Sequence, residues 1–438
     1  MAGRGDRIAE LVESVPMTAD FLTTSFAELG ALAPDPTDMY IALRLRVSGA
    51  APTPRTLRDR VAERLPLLPE LTERLVTGPR PRWEPDPEFD LDRHVRQVRV
   101  GQEGARTHDG TPGRGQNPVV AEVRGSVGIP VHALLGESPD PLRPPWQLLI
   151  ESDPAADRWT LFYLAHHARQ DVTGARHTVT RLLGDATPLP LDDPPLHRHR
   201  WLGGLAAVMP DLRRSERRSA PARKFPTGPG RLLGEVTVGS SLLTATAAAT
   251  GATVNQVHLA ALSVALRRWS PDWERADSRE IAIPLDTRLL GEVAYAANRI
   301  GLMRVLLPGY EPDPRARLED LRLAASRARI ARHRRATRKL SAGPRRVAAW
   351  AQGRVTDPAV IGVTASNVRI DQGITVLGAP VLECAALPWL PPGHECFSLL
   401  TTYNGSATLA AVAPSDCPDP ADLVDAWAGA LRELSSQA

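Results

Sequence analysis

Residues 160–174 read TLFYLAHHARQDVTG. An apolar run, Leu161 to Ala165, delivers the chain's only His-His pair, His166-His167, and Asp171 follows four residues after the second histidine. An imidazole titrates near neutral pH, so it takes a proton from an attacking hydroxyl at little cost. At the end of a buried strand, one ring can point into a cleft while the other packs or orients. A strand-end histidine pair is structural in most proteins, so the surrounding sequence has to decide between a base and a packed pair.

Working outward, Trp146–Glu151 and Trp159–Ala165 read as neighbouring strands with a turn at Asp153–Asp157. Met39–Val47 alternates as a further strand, and Thr53–Leu65 has a helical pattern that runs into Pro66. A helix is expected at Asp6 to Ser14. Residues 79–96 read as loop leading into a strand at Val95–Val100, and residues 101–119 as a mobile loop rich in Gly, Thr, Arg and Gln. The clearest break is 185–234, proline-rich at Ala186–Pro195 and basic at Arg213–Arg231; part of it is expected to be a crossing helix or a mobile lid. Beyond it come a strand at Gly234–Val238, helices at Ser240–Ala248 and Val254–Trp269, and strands at Glu280–Leu285 and Leu302–Leu307. A long basic helical stretch is read at Arg315–Arg354. Strands follow at Ile361–Asn367, Leu399–Asn404 and Ala407–Val412, then an amphipathic helix at Pro418–Ser436. Strands mixed with helices on both sides of the break predict an α/β protein of two sandwich halves: residues 1–185, a linker or crossover at 186–234, and residues 235–438.

Composition narrows the function. At 438 residues, 42% hydrophobic and 24% charged, the chain is long enough for two cores and is not disordered. A net charge of +3 gives nucleic-acid binding no global electrostatic support, and the basic stretches lack interleaved aromatics. The three cysteines, Cys384, Cys396 and Cys417, have no CxxC spacing, which argues against a disulfide framework and a zinc site and fits a reducing cytoplasm. No signal peptide or membrane-spanning run is read. His197 and His199 have no Cys or carboxylate set around them, so no metal site is expected.

The order of motifs resembles one family. The His166-His167…Asp171 signature, Arg64-Leu-Pro-Leu-Leu-Pro69, Trp83 with Asp86-Pro-Glu-Phe-Asp90 and His94-Val95, and Arg143-Pro-Pro-Trp146 through Glu151 are its landmarks in the first half. Ala252-Thr-Val-Asn255-Gln256, Asn298-Arg-Ile-Gly301 and Ser366-Asn367-Val368 continue the series. Together they resemble the bacterial wax ester synthase/diacylglycerol acyltransferase family, within the condensation-domain and CoA-dependent acyltransferase superfamily.

The resemblance implies two chloramphenicol-acetyltransferase-like halves meeting at a cleft that holds the histidines. It implies an acyltransferase forming an ester from acyl-CoA, a substrate and not a cofactor, and a hydroxyl acceptor. His167 is then the general base, His166 a structural neighbour, and Asp171 the anchor of a salt bridge. The arginine partner is taken as Arg288, with Arg44 and Arg46 as rivals. Asn255 opens the family's Asn-Asp helix, Asn298, Ser366 and Asn367 stay open as oxyanion or substrate contacts, and His394 faces the acyl tunnel by family position. Arg334, Arg335 and Lys339 are candidates for the CoA phosphates. The protein is expected in the cytoplasm, in peripheral contact with a membrane surface. Alternatives are a secondary-metabolism condensation enzyme using a carrier-protein donor with an amine or hydroxyl acceptor, and a non-catalytic binder of acyl thioesters. Two departures mark a divergent member: Val172 stands where the signature has glycine, and Gln256 where it has aspartate. A valine cannot follow a backbone with positive φ, so the turn after Asp171 is expected to differ, or its loop to be one residue shorter.

Overall fold

The computed structural model describes residues 17–18, 21–32, 39–78, 81–98, 124–127, 134, 143–153, 157–185, 201–215, 230–270, 273, 278–289, 292, 296–309, 311, 313–355, 357, 360–370 and 373–437. The expected helix at Asp6 to Ser14 and the loop at 101–119 lie outside them. The first half contributes α1 (Phe21–Leu32), β1 (Tyr40–Ser48), α2 (Pro54–Arg64), β2 (Val95–Gln97), β3 (Arg124–Val127), β4 (Trp146–Asp153), β5 (Arg158–His166) and α3 (Val172–Leu183). The connecting region carries α4 (Trp201–Ser215). The second half contributes β6 (Arg231–Gly239), α5 (Ser240–Thr250), α6 (Val254–Trp269), β7 (Ser278–Asp286), β8 (Ile300–Pro308), α7 (Pro314–Ala324), α8 (Arg327–Ser341) and α9 (Arg345–Val355). It ends with β9 (Val363–Arg369), β10 (Thr375–Val376), β11 (Ala379–Leu387), β12 (Cys396–Tyr403), β13 (Ser406–Pro414) and α10 (Pro420–Ser436).

Two large mixed sheets organise these elements. One has the order β10-β11-β1-β5-β4-β2, the other β8-β7-β9-β12-β13-β6-β3. β1 and β5 pair antiparallel from Ser48↔Arg158 to Tyr40↔His166. Leu161 through Ala165 are all buried, so β5 is covered on both faces, which is why its sequence runs continuously apolar and then stops at the histidines.

Each half lends a strand to the other. β3 pairs with β6 in the second sheet. β11 pairs with β1 from Val47↔Val381 to Ala42↔Leu387, with a bulge between Val381 and Glu383. Without β11, β1 would be an open edge.

Two readings are corrected, and one departure gains a structural role. The basic stretch Arg315–Arg354 is not continuous: α7 ends at Ala324, Ser326 caps α8 by accepting the Arg329 N–H, and Pro344, which has no N–H to donate, precedes α9. Residues 79–96 are not all loop, because 82–85 pair with 73–76 and Asp90 caps a short helix at 91–94. Gln256 completes a capping box on α6: its side chain accepts the Thr253 N–H at 2.8 Å and Thr253 Oγ1 accepts the Gln256 N–H at 3.2 Å.

Candidate active site

β5 ends at His166, and the next four residues turn into α3. His166 packs edge-on against Tyr40, its Nδ1 accepts the Ala168 N–H at 3.0 Å, and α1 crosses it at Gly30, where a Cβ would come within 3.3 Å of Nε2. His166 does not face the cavity described below. Burial, then the neighbouring His167, push its pKa down to about 3.

His167 points the other way. Its backbone N–H donates to the Met39 carbonyl, and its own carbonyl accepts the Asn298 Nδ2–H at 2.7 Å. Phe26 of α1 stacks on the imidazole with centroids 4.1 Å apart and planes at 13°, and Trp389 meets it edge-on at 5.3 Å. Burial pushes the His167 pKa down to about 4, against the smaller opposite pull of its own carbonyl, Asp171 and Asn298. The ring is therefore neutral at pH 7, the state a base requires. Nδ1 is buried with no hydrogen-bond partner among the described residues, and the residue lines the cavity described below.

The Asp171 carboxylate is fully engaged. Arg288 grips it with both guanidinium nitrogens, at 2.8 Å to Oδ1 and 3.0 Å to Oδ2. The Gly174 N–H donates to Oδ1 at 2.7 Å, capping α3, and the Arg299 N–H donates to Oδ2 at 2.9 Å. Four donors on one carboxylate leave it no role as a proton carrier. They also tie the histidine loop of the first half to residues 288–299 of the second. The rival arginines are committed elsewhere: Arg44 to Glu235 at 2.5 Å and Arg46 to Glu383 at 3.2 Å.

The turn after Asp171 is one a valine can follow. Val172 is the first residue of α3, and φ is not positive there. The requirement for a small residue falls two positions later. A Cβ on Gly174 would lie 1.9 Å from the Ala296 carbonyl oxygen, so α3 approaches the second half as closely as a backbone allows.

His167 opens on a cavity of about 790 Å³ between the halves. Its floor is one face of the second sheet, where registers Leu302↔Pro284 and Ser366↔Leu399 set cavity-facing residues side by side. Among the described residues β7 and β9 register only at Ala282↔Thr364, and the strands part where Pro284 has no N–H to give. The other walls come from Leu22, Phe26 and Leu29 of α1, from α8 and α9, and from the Pro388–Pro392 segment that follows β11. Of the residues singled out in the sequence, His167, Asp171, Val172, Arg288, Arg334, Ser366, Asn367 and His394 line it. Asn298 and Asn255 do not: the first holds the His167 carbonyl, the second meets Asn367 side chain to side chain at 3.5 Å.

Phe26, Trp389 and Gly174 were not read from the sequence. The Pro388-Trp389-Leu390-Pro391-Pro392 run was the available signal, since prolines rarely cluster beside a strand without fixing something. Among the described residues no His, Cys, Asp or Glu group could hold a metal ion, the three cysteines are free and buried, and no helix is long and apolar enough to cross a membrane.

Residues 37–108 match the profile of the wax ester synthase/diacylglycerol acyltransferase catalytic domain, and residues 296–435 that of the family's C-terminal domain. A diacylglycerol O-acyltransferase of Mycobacterium tuberculosis is 29% identical over 140 residues, a stretch covering 32% of this chain and 26% of that protein. Another relative from the same organism, named tgs1 and carrying the same enzyme name, is 22% identical over 402 residues, 81% of this chain and 83% of its own length. The wax ester synthase/diacylglycerol acyltransferase of Marinobacter aquaeolei superposes with a TM-score of 0.63 at 17% identity, covering 97% of this chain and 99% of that one. The starter condensation domain of rhizomide synthetase, solved with C8-CoA and Leu-SNAC, superposes with a TM-score of 0.66 at 12% identity, covering 100% and 96%. These likenesses give both halves the fold shared by the two enzyme groups.

Proposed function

Because the chain belongs to the wax ester synthase/diacylglycerol acyltransferase family, we propose that it moves an acyl group from acyl-CoA to a hydroxyl acceptor, forming an ester. One observation carries this reading: a neutral, buried His167 whose ring is fixed by Phe26 and Trp389 and faces a largely apolar cavity between the halves.

The acceptor hydroxyl gives its proton to Nε2 of His167 as its oxygen attacks the thioester carbonyl. The tetrahedral intermediate expels the thiolate, which takes that proton back, leaving ester and free thiol. His166 and Asp171 hold the loop and do not touch the reacting atoms. The apolar walls suit an alkyl chain. Arg334, an exposed residue of the basic α8 that lines the cavity, is placed for the phosphates of CoA. The reaction uses no cofactor besides the acyl-CoA substrate. Exposed Trp350 on α9 and Leu202 on α4, with the arginines of α8, support peripheral contact with an acidic membrane surface from the cytoplasm.

The test is thiol release from octanoyl-CoA in the presence of a panel of alcohols and amines. His167→Ala is expected to lower turnover by at least about 100-fold. A purified, folded His167→Ala protein that kept the wild-type rate would overturn the assignment. Measurable acyl-CoA binding with no thiol release from any pair would assign the cavity to binding alone.

A further inference from the structure

We propose that Trp389 is a catalytic residue: its indole N–H donates to the acyl carbonyl oxygen as that oxygen becomes an alkoxide. The inference rests on the acyl-transfer reading above.

An indole nitrogen is a donor only, and a buried one normally finds an acceptor. Trp146, Trp269 and Trp273 follow this rule, donating to the Leu71 carbonyl, the Asp419 carbonyl and Glu395 Oε2. Trp389 is 7% exposed and has no hydrogen-bond partner among the described residues. It is not sealed in the interior like the Trp427 nitrogen, because it lines the cavity. Phe26 at 5.9 Å, Phe397 at 6.5 Å and the His167 imidazole at 5.3 Å pack around the ring, and the residue itself lines the cavity.

The donor is also held in place beforehand. Pro388 precedes Trp389 and Pro391-Pro392 follow two residues later, so φ is fixed on both sides, and the segment closes with the His394 N–H on the Pro391 carbonyl at 3.1 Å. A donor that needs no reorganisation acts most strongly on charge that appears only in the transition state. Of the other donors considered for this role, Asn298 is engaged on the His167 carbonyl and Asn367 meets Asn255, while Ser366 lies on the cavity floor.

The chemistry balances without a further reactant. The acceptor oxygen forms its bond to the acyl carbon and its proton moves to His167. The carbonyl π pair moves onto oxygen, opposite the Trp389 N–H. When that pair returns, the carbon–sulfur bond breaks and the thiolate leaves with the proton from His167.

The test is Trp389→Phe, which keeps an aromatic edge against His167 and removes only the donor. Two readouts are compared with wild type: thiol release across pH, and the infrared stretch of ¹³C-labelled thioester carbonyl in bound octanoyl-CoA. Expected are a fall in kcat on the order of 100-fold with an unchanged pH inflection, and a carbonyl stretch at lower frequency in wild type than in the variant. A variant with wild-type kcat and an unchanged stretch overturns the proposal. So does a lower kcat that comes with a displaced pH inflection and an unchanged stretch, which would make Trp389 a positioning residue for His167. A Trp389-dependent stretch in a wild-type protein that releases no thiol upholds the donor and overturns the acyl-transfer reading instead.

Discussion

Asp171→Asn removes one charge from a clasp that joins the two halves. The substitution leaves Arg288 buried, with its side chain 3% exposed, and without the carboxylate that held both its outer nitrogens; only the half-exposed Asp286, at 3.2 Å from Nη1, still offsets its charge. Deleting one partner of a buried pair costs about 3–5 kcal/mol, whereas deleting both charges is close to neutral. Asn still caps α3, so little is added by loss of the cap. For 438 residues, an unfolding entropy of roughly 2.1 cal/mol/K per residue gives about 0.9 kcal/mol per degree, so the expected loss in Tm is about 3–5 °C. Asp171→Asn combined with Arg288→Met should recover most of that loss and, with it, part of the thiol-release activity. The assays are thermal melts and initial rates on the four proteins of the double-mutant cycle. A Tm for Asp171→Asn within 1 °C of wild type, or a double variant no better than the single, would refute the claim that Asp171 acts through this clasp. A double variant with restored Tm and no activity at all would return Asp171 to the chemistry.

Gly174→Ala places a methyl 1.9 Å from the Ala296 carbonyl oxygen, so α3 and the second half must separate; the expected outcome is a Tm drop larger than that of a surface Gly→Ala control such as Gly203→Ala, where nothing lies within 4 Å. Phe26→Leu uncovers one face of the His167 ring. Its pKa should rise from about 4 toward its ordinary value, moving the acid limb of the pH–rate profile upward while KM for the acyl donor stays within a factor of a few; an unmoved limb would show that the stacking does not set the base. In wild type, the rate should be flat above about pH 5 and fall through pH 4, because only neutral His167 accepts a proton. Folding stability has its own acid limb. His94, His166, His167 and His258 have pKa values of about 4, 3, 4 and 3, all lowered by burial. The unfolded chain therefore binds more protons once pH drops below about 6.5. Stability is complete above that value and falls below it by about 1.4 kcal/mol per pH unit for each histidine, until pH reaches about 4 for His94 and His167 and about 3 for His166 and His258; a urea midpoint equal at pH 7 and pH 5 would contradict this.

Much of the scaffold was legible because local rules decided it. Val254–Trp269 was read with its observed ends: Thr253 and Gln256 cap one end, and apolar spacing carries the rest. β4, β5, β7 and β8 were legible because each carries a central apolar run that only a buried strand of that length explains. α3 escaped, since its start is set by Asp171, a residue whose meaning depends on Arg288, 117 positions away. β11 escaped as well: its pattern is not that of a strand covered on both sides, and its partner β1 lies more than 330 residues earlier, between 40 and 48. Leu22 and Phe26 of α1 meet the cavity only because the chain brings the amino-terminal helix over a sheet from the other half.

What the sequence determined by itself was chemistry and order: two histidines at the end of a buried strand, an aspartate four residues on, and α/β elements repeated on both sides of a proline-rich break. These follow from periodicity and side-chain type, which act over a few residues. Tertiary structure alone decided which histidine faces the cavity, which arginine holds Asp171, that Val172 begins an ordinary helix while Gly174 carries the steric constraint, and that Phe26 and Trp389 enclose the base. The reason is physical. Apart from the local cap that starts α3, each of those facts is a contact between segments more than 100 residues apart, or the direction of a ring set by such a contact, and no local pattern encodes a neighbour that arrives only when the two halves close.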